Sequence, residues 1–300
     1  MAAFQKSDFK HWPNFIVIGP GKAGTSWLFQ VFAAHPEICT SSAKETIFFD
    51  SEYHRGLNWY AKFFRRCDAD QQPHAVGEVS NTYIFSEAAP GRIREHFPEM
   101  KLLSTLRNPV ERAFSHYLFE RRNANVSGTF EEALQQRPDF LSRGCYNKHL
   151  TPYYDVFPAE QIKVLIYDDL KADNASFAGE LFDFINVGPL PNPEILGKRV
   201  LGASEARNRL AAKFSVGAAH MIRAAGFPEV VTKIKNSVVS KMLFKPIDRE
   251  NYPTMRPETK LRLCDYFRDD VTALSERLER DLVAQWLDPI YNELKLENVA

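Results

Sequence analysis

Short apolar runs recur along the chain, each closed by a turn and followed by a stretch with helical spacing. Phe15–Ile18 is the first. It is rich in β-formers and ends at Gly19-Pro20-Gly21, which predicts a buried strand entering a tight turn. Thr25–Ala34 predicts a helix, with Trp27, Leu28, Val31 and Phe32 at helix-like spacing and His35-Pro36 as its stop. Lys101–Leu106 predicts a second strand, broken by Arg107-Asn108-Pro109. A helix over Val110–Glu120 follows, with Asn108 as its N-cap and Pro109 in its first turn. Ile162–Tyr167 predicts a third strand, with helix near Phe177–Phe184. From Ser204 onward the pattern is mostly helical, and Arg256–Leu278 reads as a long amphipathic helix. Strands alternating with helices predict an α/β fold with a mainly parallel sheet. A single domain over 1–300 is expected, with a helical lid or insert at about 205–250.

Composition narrows the function. The chain has 300 residues, 44% of them hydrophobic, enough for one large core or two small ones. Lys plus Arg and Asp plus Glu both number 38, so no global basic field favours nucleic acid. No apolar run is long enough for a membrane span, and the first residues lack the pattern of a secretory leader, so a cytoplasmic protein is expected. Cys39, Cys67, Cys145 and Cys264 are far apart and form no CxxC pair. Neither a zinc site nor a disulfide framework is expected from them, only buried or incidental thiols.

The candidate chemistry begins at Gly19-Pro20-Gly21-Lys22-Ala23-Gly24-Thr25-Ser26-Trp27. A strand feeding a glycine loop into a helix N-terminus makes an anion site, because free N–H groups and the helix dipole both favour negative charge. Lys22 adds a cation; Thr25 and Ser26 add hydroxyl donors. Gly19-x-Gly21-x-x-Gly24 matches the dinucleotide fingerprint, a weak signal alone. The Walker pattern fails, since Thr25 stands where its lysine belongs. Lys22-Ala23-Gly24-Thr25-Ser26 resembles the 5′-phosphosulfate loop of sulfotransferases, and Trp27 resembles the tryptophan that follows it in cytosolic members.

A second motif separates these readings. Leu106-Arg107-Asn108-Pro109-Val110-Glu111-Arg112-Ala113-Phe114-Ser115 resembles the sulfotransferase motif for the 3′-phosphate of 3′-phosphoadenosine 5′-phosphosulfate (PAPS). An arginine at a strand end can fork onto that phosphate, and Ser115, two turns down the helix, can donate a further bond. Lys44-Glu45-Thr46-Ile47-Phe48-Phe49-Asp50 is similar to a segment of heparan-sulfate-type sulfotransferases, with Glu45 on the position of their catalytic glutamate. Gly77-Glu78-Val79-Ser80-Asn81-Thr82-Tyr83 resembles their Glu-Lys-Thr-Pro-x-Tyr stretch, but Val79 replaces the lysine and Asn81 the proline. Arg143-Gly144-Cys145-Tyr146 resembles a Gly-x-Tyr that helps seat the nucleotide, and Arg207 is a candidate in a late loop over the 3′-phosphate.

The resemblance implies a P-loop-like three-layer fold, with a mainly parallel central sheet flanked by helices and a mostly helical C-terminal part. It implies sulfuryl transfer from PAPS, releasing PAP, without a metal. The acceptor would be a hydroxyl, or less readily an amine, of a carbohydrate, lipid or small molecule. Lys22 would stabilise developing charge and Glu45 would act as general base. Gly21, Lys22, Ala23, Gly24, Thr25, Ser26, Trp27, Arg107, Ser115, Tyr146 and Arg207 would bind the nucleotide, Trp27 either against adenine or as a core aromatic. His116 and His149 are rival bases. A nicotinamide-dinucleotide oxidoreductase, with an acidic residue closing a second strand near position 40, and a non-catalytic PAP-binding module remain the alternatives. A homodimer using the segment 214–244 also remains open.

Overall fold

The computed structural model describes residues 12–68, 73–197, 204–206, 217–218, 221–222, 244–246 and 253–297. The chain divides into two compact units. One comprises residues 1–106, 152–201 and 226–232; the other comprises 107–151, 202–225 and 233–300.

The first unit holds a five-stranded parallel sheet of β1 (Phe15–Gly19), β2 (Ile38–Thr40), β3 (Ala75–Val79), β4 (Lys101–Leu106) and β5 (Ile162–Ile166). Its spatial order is β2-β3-β1-β4-β5. Every residue of β1 and β3 is buried, as parallel strands covered on both faces require. Helix α1 (Thr25–Ala34) lays Trp27, Leu28, Val31 and Phe32 into a core shared with Phe15 and Val17 of β1. Phe177, Leu181 and Phe182 of the helix Asn174–Phe184 complete that core. This is a P-loop-like α/β arrangement. The chain passes from β1 to β2 and β3 on one side, then to β4 on the other. The order reverses at β1, and in open α/β sheets ligands collect beyond the carboxyl ends of strands at such a switch.

The second unit is mostly helical. It contains α2 (Pro109–Arg122), the start of α3 (Tyr146–Tyr154) and α4 (Pro257–Leu278), with a short antiparallel pair of β6 (Ser204–Ala206) and β7 (Phe244–Pro246). Helix α4 buries Leu263, Phe267, Val271 and Leu274 along one stripe. The segment 214–244 lies almost wholly outside the described residues.

One expectation is overturned. Cys39 and Cys67 form a disulfide, with Cα atoms 5.7 Å apart. The fold places β2 against the 3₁₀ segment Lys62–Asp68, a proximity that a sequence separation of 28 residues does not announce. Cys145 and Cys264 are free thiols, as expected.

Candidate active site

The first unit assembles the glycine loop and the Glu45 turn at the carboxyl ends of β1 and β3. Strand β1 ends at Gly19, where a Cβ would lie 2.5 Å from the Asn81 carbonyl oxygen. Ser104 Oγ donates to the Gly19 carbonyl at 2.8 Å and fixes the loop's start. Lys22 and Gly24 have φ of 77° and 93°. A Cβ on Gly24 would also stand 3.2 Å from Tyr167 and Leu170, so conformation and space both call for glycine there. Gly24 is the N-cap of α1; no side chain caps it and no acidic residue occupies the first turn. The helix N-terminus therefore offers its N–H groups and positive dipole end to an anion. Ala23 and Thr25 are buried, while Gly21, Lys22 and Ser26 are partly exposed. Lys44 Nζ donates to Ser26 Oγ at 2.9 Å and brings a second cation to the loop. This donor set fits a phosphosulfate. Trp27 belongs to the core: its Nε1 donates to the Leu196 carbonyl at 3.0 Å, and its ring meets Phe177 edge-on at 5.8 Å.

The Glu45 turn is fastened to the end of β3. Ser41 N–H donates to the Gly77 carbonyl at 2.9 Å, and Glu45 N–H to the Val79 carbonyl at 3.0 Å. Val79, which lacks the lysine side chain of the resembling motif, thus supplies a backbone acceptor. Glu45 and Ile47 have φ of 63° and 51°, a costly conformation for residues with side chains, most of all for a β-branched one. Between them, buried Thr46 donates its hydroxyl to Glu78 Oε2 at 2.6 Å and lies 3.0 Å from Tyr83 Oη. Tyr83 Oη accepts the Phe49 N–H at 3.2 Å. Glu78 is fully buried, and desolvation pushes its carboxyl up to about 7, against the lowering pull of the Thr46 and Tyr83 hydroxyls. Asn81 Nδ2 donates to Glu45 Oε1. Tyr60, Phe63 and Phe64 are buried, and Tyr60 stacks on Phe48 at 4.5 Å, so these aromatics are core.

The dinucleotide alternative loses its support here. That fold sets its second strand beside the first and closes it with an acid on the ribose. In this sheet β3, not β2, flanks β1, and β2 ends at Thr40 followed by Ser41. Glu37 precedes β2, where its carboxylate accepts the Gly188 N–H at 2.9 Å.

In the second unit, Asn108 caps α2 as expected, accepting from the Val110 and Glu111 N–H groups at 3.0 and 3.4 Å. Its amide donates to the Trp286 carbonyl at 2.7 Å. Arg107 Nε and Nη2 both reach Glu111 Oε2, at 2.9 and 2.8 Å, which holds the guanidinium at the start of α2. Tyr146 is fully buried, and its hydroxyl donates to the Arg107 carbonyl at 2.7 Å. Asp270 of α4 accepts from the Asn147 and Lys148 N–H groups, both at 3.0 Å, and so fixes the helix that carries Tyr146. Ser115 is partly exposed on α2. His116 is buried against Phe140 and lies 3.6 Å from Glu120; burial holds its pKa below the ordinary histidine value. His149 contacts the Ser142 carbonyl at 2.9 Å. Arg207 lies outside the described residues.

Lys22, Glu45, Arg107 and Tyr146 carry roles by resemblance, whereas Lys44, Glu78 and Asn81 stand in the same quoted motifs without one, Asn81 as a departure from the resembling proline.

The family model described as "Sulfotransferase domain" matches residues 13–272. The human bifunctional heparan sulfate N-deacetylase/N-sulfotransferase 3 is 30% identical over 197 residues, covering 59% of this chain and 22% of its own length. The human N-deacetylase/N-sulfotransferase 2 is 26% identical over 298 residues, covering 92% of this chain and 31% of its own length. The chain thus spans about a third or less of these curated relatives. The crystal structure of a sulfotransferase from Alicyclobacillus acidocaldarius superposes with a TM-score of 0.66 at 23% identity, covering 92% of this chain and 99% of that one. It shares the fold.

Proposed function

This chain belongs to the sulfotransferase domain family, and we propose that it transfers a sulfuryl group from PAPS to an acceptor hydroxyl or amine, releasing PAP. One observation carries the reading: Asn81 donates to the Glu45 carboxylate while its side chain lies close against Gly21, which supports a candidate base and a candidate phosphosulfate cradle in one site.

The residues divide the work by their chemistry. The loop N–H groups, Ser26 and Thr25 hold the 5′-phosphate. Lys22, with Lys44 beside Ser26, neutralises the charge that gathers on the leaving oxygen in an in-line transfer. Glu45 takes the acceptor's proton. Arg107, with its backbone held by Tyr146, and Ser115 bind the 3′-phosphate. The burial of Trp27 supports its role as a core aromatic rather than an adenine contact. No metal ion enters this scheme. The names of the similar N-sulfotransferases support an amine acceptor alongside the hydroxyl, and a carbohydrate among the acceptor classes.

Labelled PAPS, offered with hydroxyl- and amine-bearing acceptors in the presence of EDTA, tests the reading. Transfer by the wild type is expected. Glu45→Gln should lower kcat by ~10²–10³-fold while PAP binds as before. Tight PAP binding with no turnover on any acceptor would favour the non-catalytic module instead. Unchanged turnover in Glu45→Gln would remove the base assignment alone.

A further inference from the structure

Resting on that reading, we propose that Asn81 is a positioning residue for Glu45: its amide ties the carboxylate to the glycine loop and sets where the acceptor is deprotonated relative to the donor.

Three features of the fold carry this. First, the backbone around Asn81 is pinned to β1. Ser80 N–H donates to the Val17 carbonyl at 2.9 Å, and the Asn81 carbonyl oxygen would lie 2.5 Å from a Cβ on Gly19. Second, the side chain lies over the loop. Its Cβ, Cγ and Nδ2 would stand 3.5, 3.7 and 3.8 Å from a Cβ on Gly21. Third, the same Nδ2 donates to Glu45 Oε1. One short side chain therefore spans from the anion loop to the base.

The rest of the amide explains why an asparagine stands here. Its Oδ1 is buried and has no hydrogen-bond partner among the described residues. A buried acceptor left unsatisfied is unfavourable, and an apolar residue would avoid the loss. Rotating the amide would satisfy neither group, since it would set Oδ1 against the Glu45 carboxylate. The donor bond to Glu45 is what the asparagine supplies in return. The motif that this stretch resembles carries proline at this position, which has no side-chain donor, so the tether is a property of this chain.

The experiment compares wild type, Asn81→Ala and the isosteric Asn81→Asp in steady-state sulfuryl transfer, with PAP affinity measured by calorimetry. Asn81→Ala should lower kcat about 10-fold, with the donor KM and PAP Kd changed less than ~2-fold. Asn81→Asp sets a second carboxyl against Glu45, so the two share a proton and the acidic limb of kcat should move up by about one pH unit or more. Lys22, Lys44 and Glu78 are common to both proteins, so the displacement reports the added carboxyl. A kcat within 2-fold of wild type in Asn81→Ala, with an undisplaced limb in Asn81→Asp, would overturn the proposal. So would a parallel loss of PAP affinity, which would assign Asn81 to the donor loop. Glu45→Gln separates the two levels: an inactive Glu45→Gln beside an unaffected Asn81→Ala removes the tether and leaves the base, whereas an active Glu45→Gln removes the base itself.

Discussion

Thr46 donates its hydroxyl to Glu78 across 2.6 Å, and that bond braces the turn in which Glu45 and Ile47 both take left-handed backbone angles. The brace consists of groups that rarely share a core: a fully buried carboxyl, a threonine and the Tyr83 hydroxyl. Glu78 lies in β3 one residue before Val79, whose carbonyl accepts the Glu45 N–H.

Glu78 gives stability a signed pH dependence. Its native pKa is raised from 4.5 to about 7 by burial. Below the unfolded value both states keep the proton and the group contributes nothing. Between the two values the unfolded chain releases a proton that the native state keeps, so stability falls as pH rises. Above about 7 the loss is complete, at roughly 3 kcal/mol. Urea midpoints should therefore drop between pH 5 and pH 8 in the wild type and drop less in Glu78→Gln. Equal slopes in the two proteins would show that Glu78 does not titrate in this window.

Thr46→Val removes the donor that Glu78 Oε2 receives while keeping the volume. A buried carboxyl that loses a partner costs ~1–3 kcal/mol, measurable as a lower urea midpoint at constant m-value. Thr46→Ser should recover most of it.

Lys22→Ala tests charge stabilisation at the loop. Lys22 is partly exposed at a positive φ outside any helix or strand, so its loss should leave far-UV circular dichroism unchanged. Turnover should fall by ~10²–10³-fold, the scale for losing one preorganised donor at a developing anion. A rate within a few-fold of wild type would place Lys22 outside the transferring group's reach.

For the 3′-phosphate, the discriminating pair of ligands is PAP and 5′-AMP. Arg107→Ala should weaken PAP by ~10–100-fold and leave 5′-AMP almost unchanged. Tyr146→Phe deletes only the hydroxyl that holds the Arg107 carbonyl, so a smaller loss of ~3–10-fold, again confined to PAP, is expected by calorimetry. Equal losses for both ligands would detach these residues from the 3′-phosphate.

Much of this was readable beforehand because local physics decided it. Apolar runs closed by glycine or proline give β1 and β4, one closed by polar residues gives β5, and Asn108-Pro109 marks the start of α2. Strands β2 and β3 escaped, since β2 is only Ile38–Thr40 and β3 carries Gly77 and Glu78 in its middle. The missed site residues share one cause. Lys44 matters through Ser26, Asn81 through Glu45, and Glu78 through Thr46, at separations of 18, 36 and 32 residues. Such partners are chosen by strand order, which no local pattern encodes.

The Cys39–Cys67 bridge is the clearest case of that limit, and it yields the last prediction. It joins the strand that leads into the Glu45 turn to the segment Lys62–Asp68. Two further ties run in parallel: Arg66 donates to the Thr40 carbonyl from Nε and Nη2 at 3.0 and 2.7 Å, and Ser42 N–H reaches the Phe63 carbonyl at 2.8 Å. Closing a loop of 28 residues restricts the unfolded chain by roughly 3–4 kcal/mol in the chain-entropy account. The Cys39→Ser/Cys67→Ser double variant should lose stability on that scale in urea unfolding. Its kcat should change less than Asn81→Ala does, because Arg66 and Ser42 still hold the approach to the turn. Unfolded without reductant, the wild type should titrate two thiols, Cys145 and Cys264, and four after reduction. Four thiols at the outset would mean the bridge is open in the isolated protein. That outcome would accord with the reducing cytoplasm expected from the sequence, whereas two would favour an oxidising compartment.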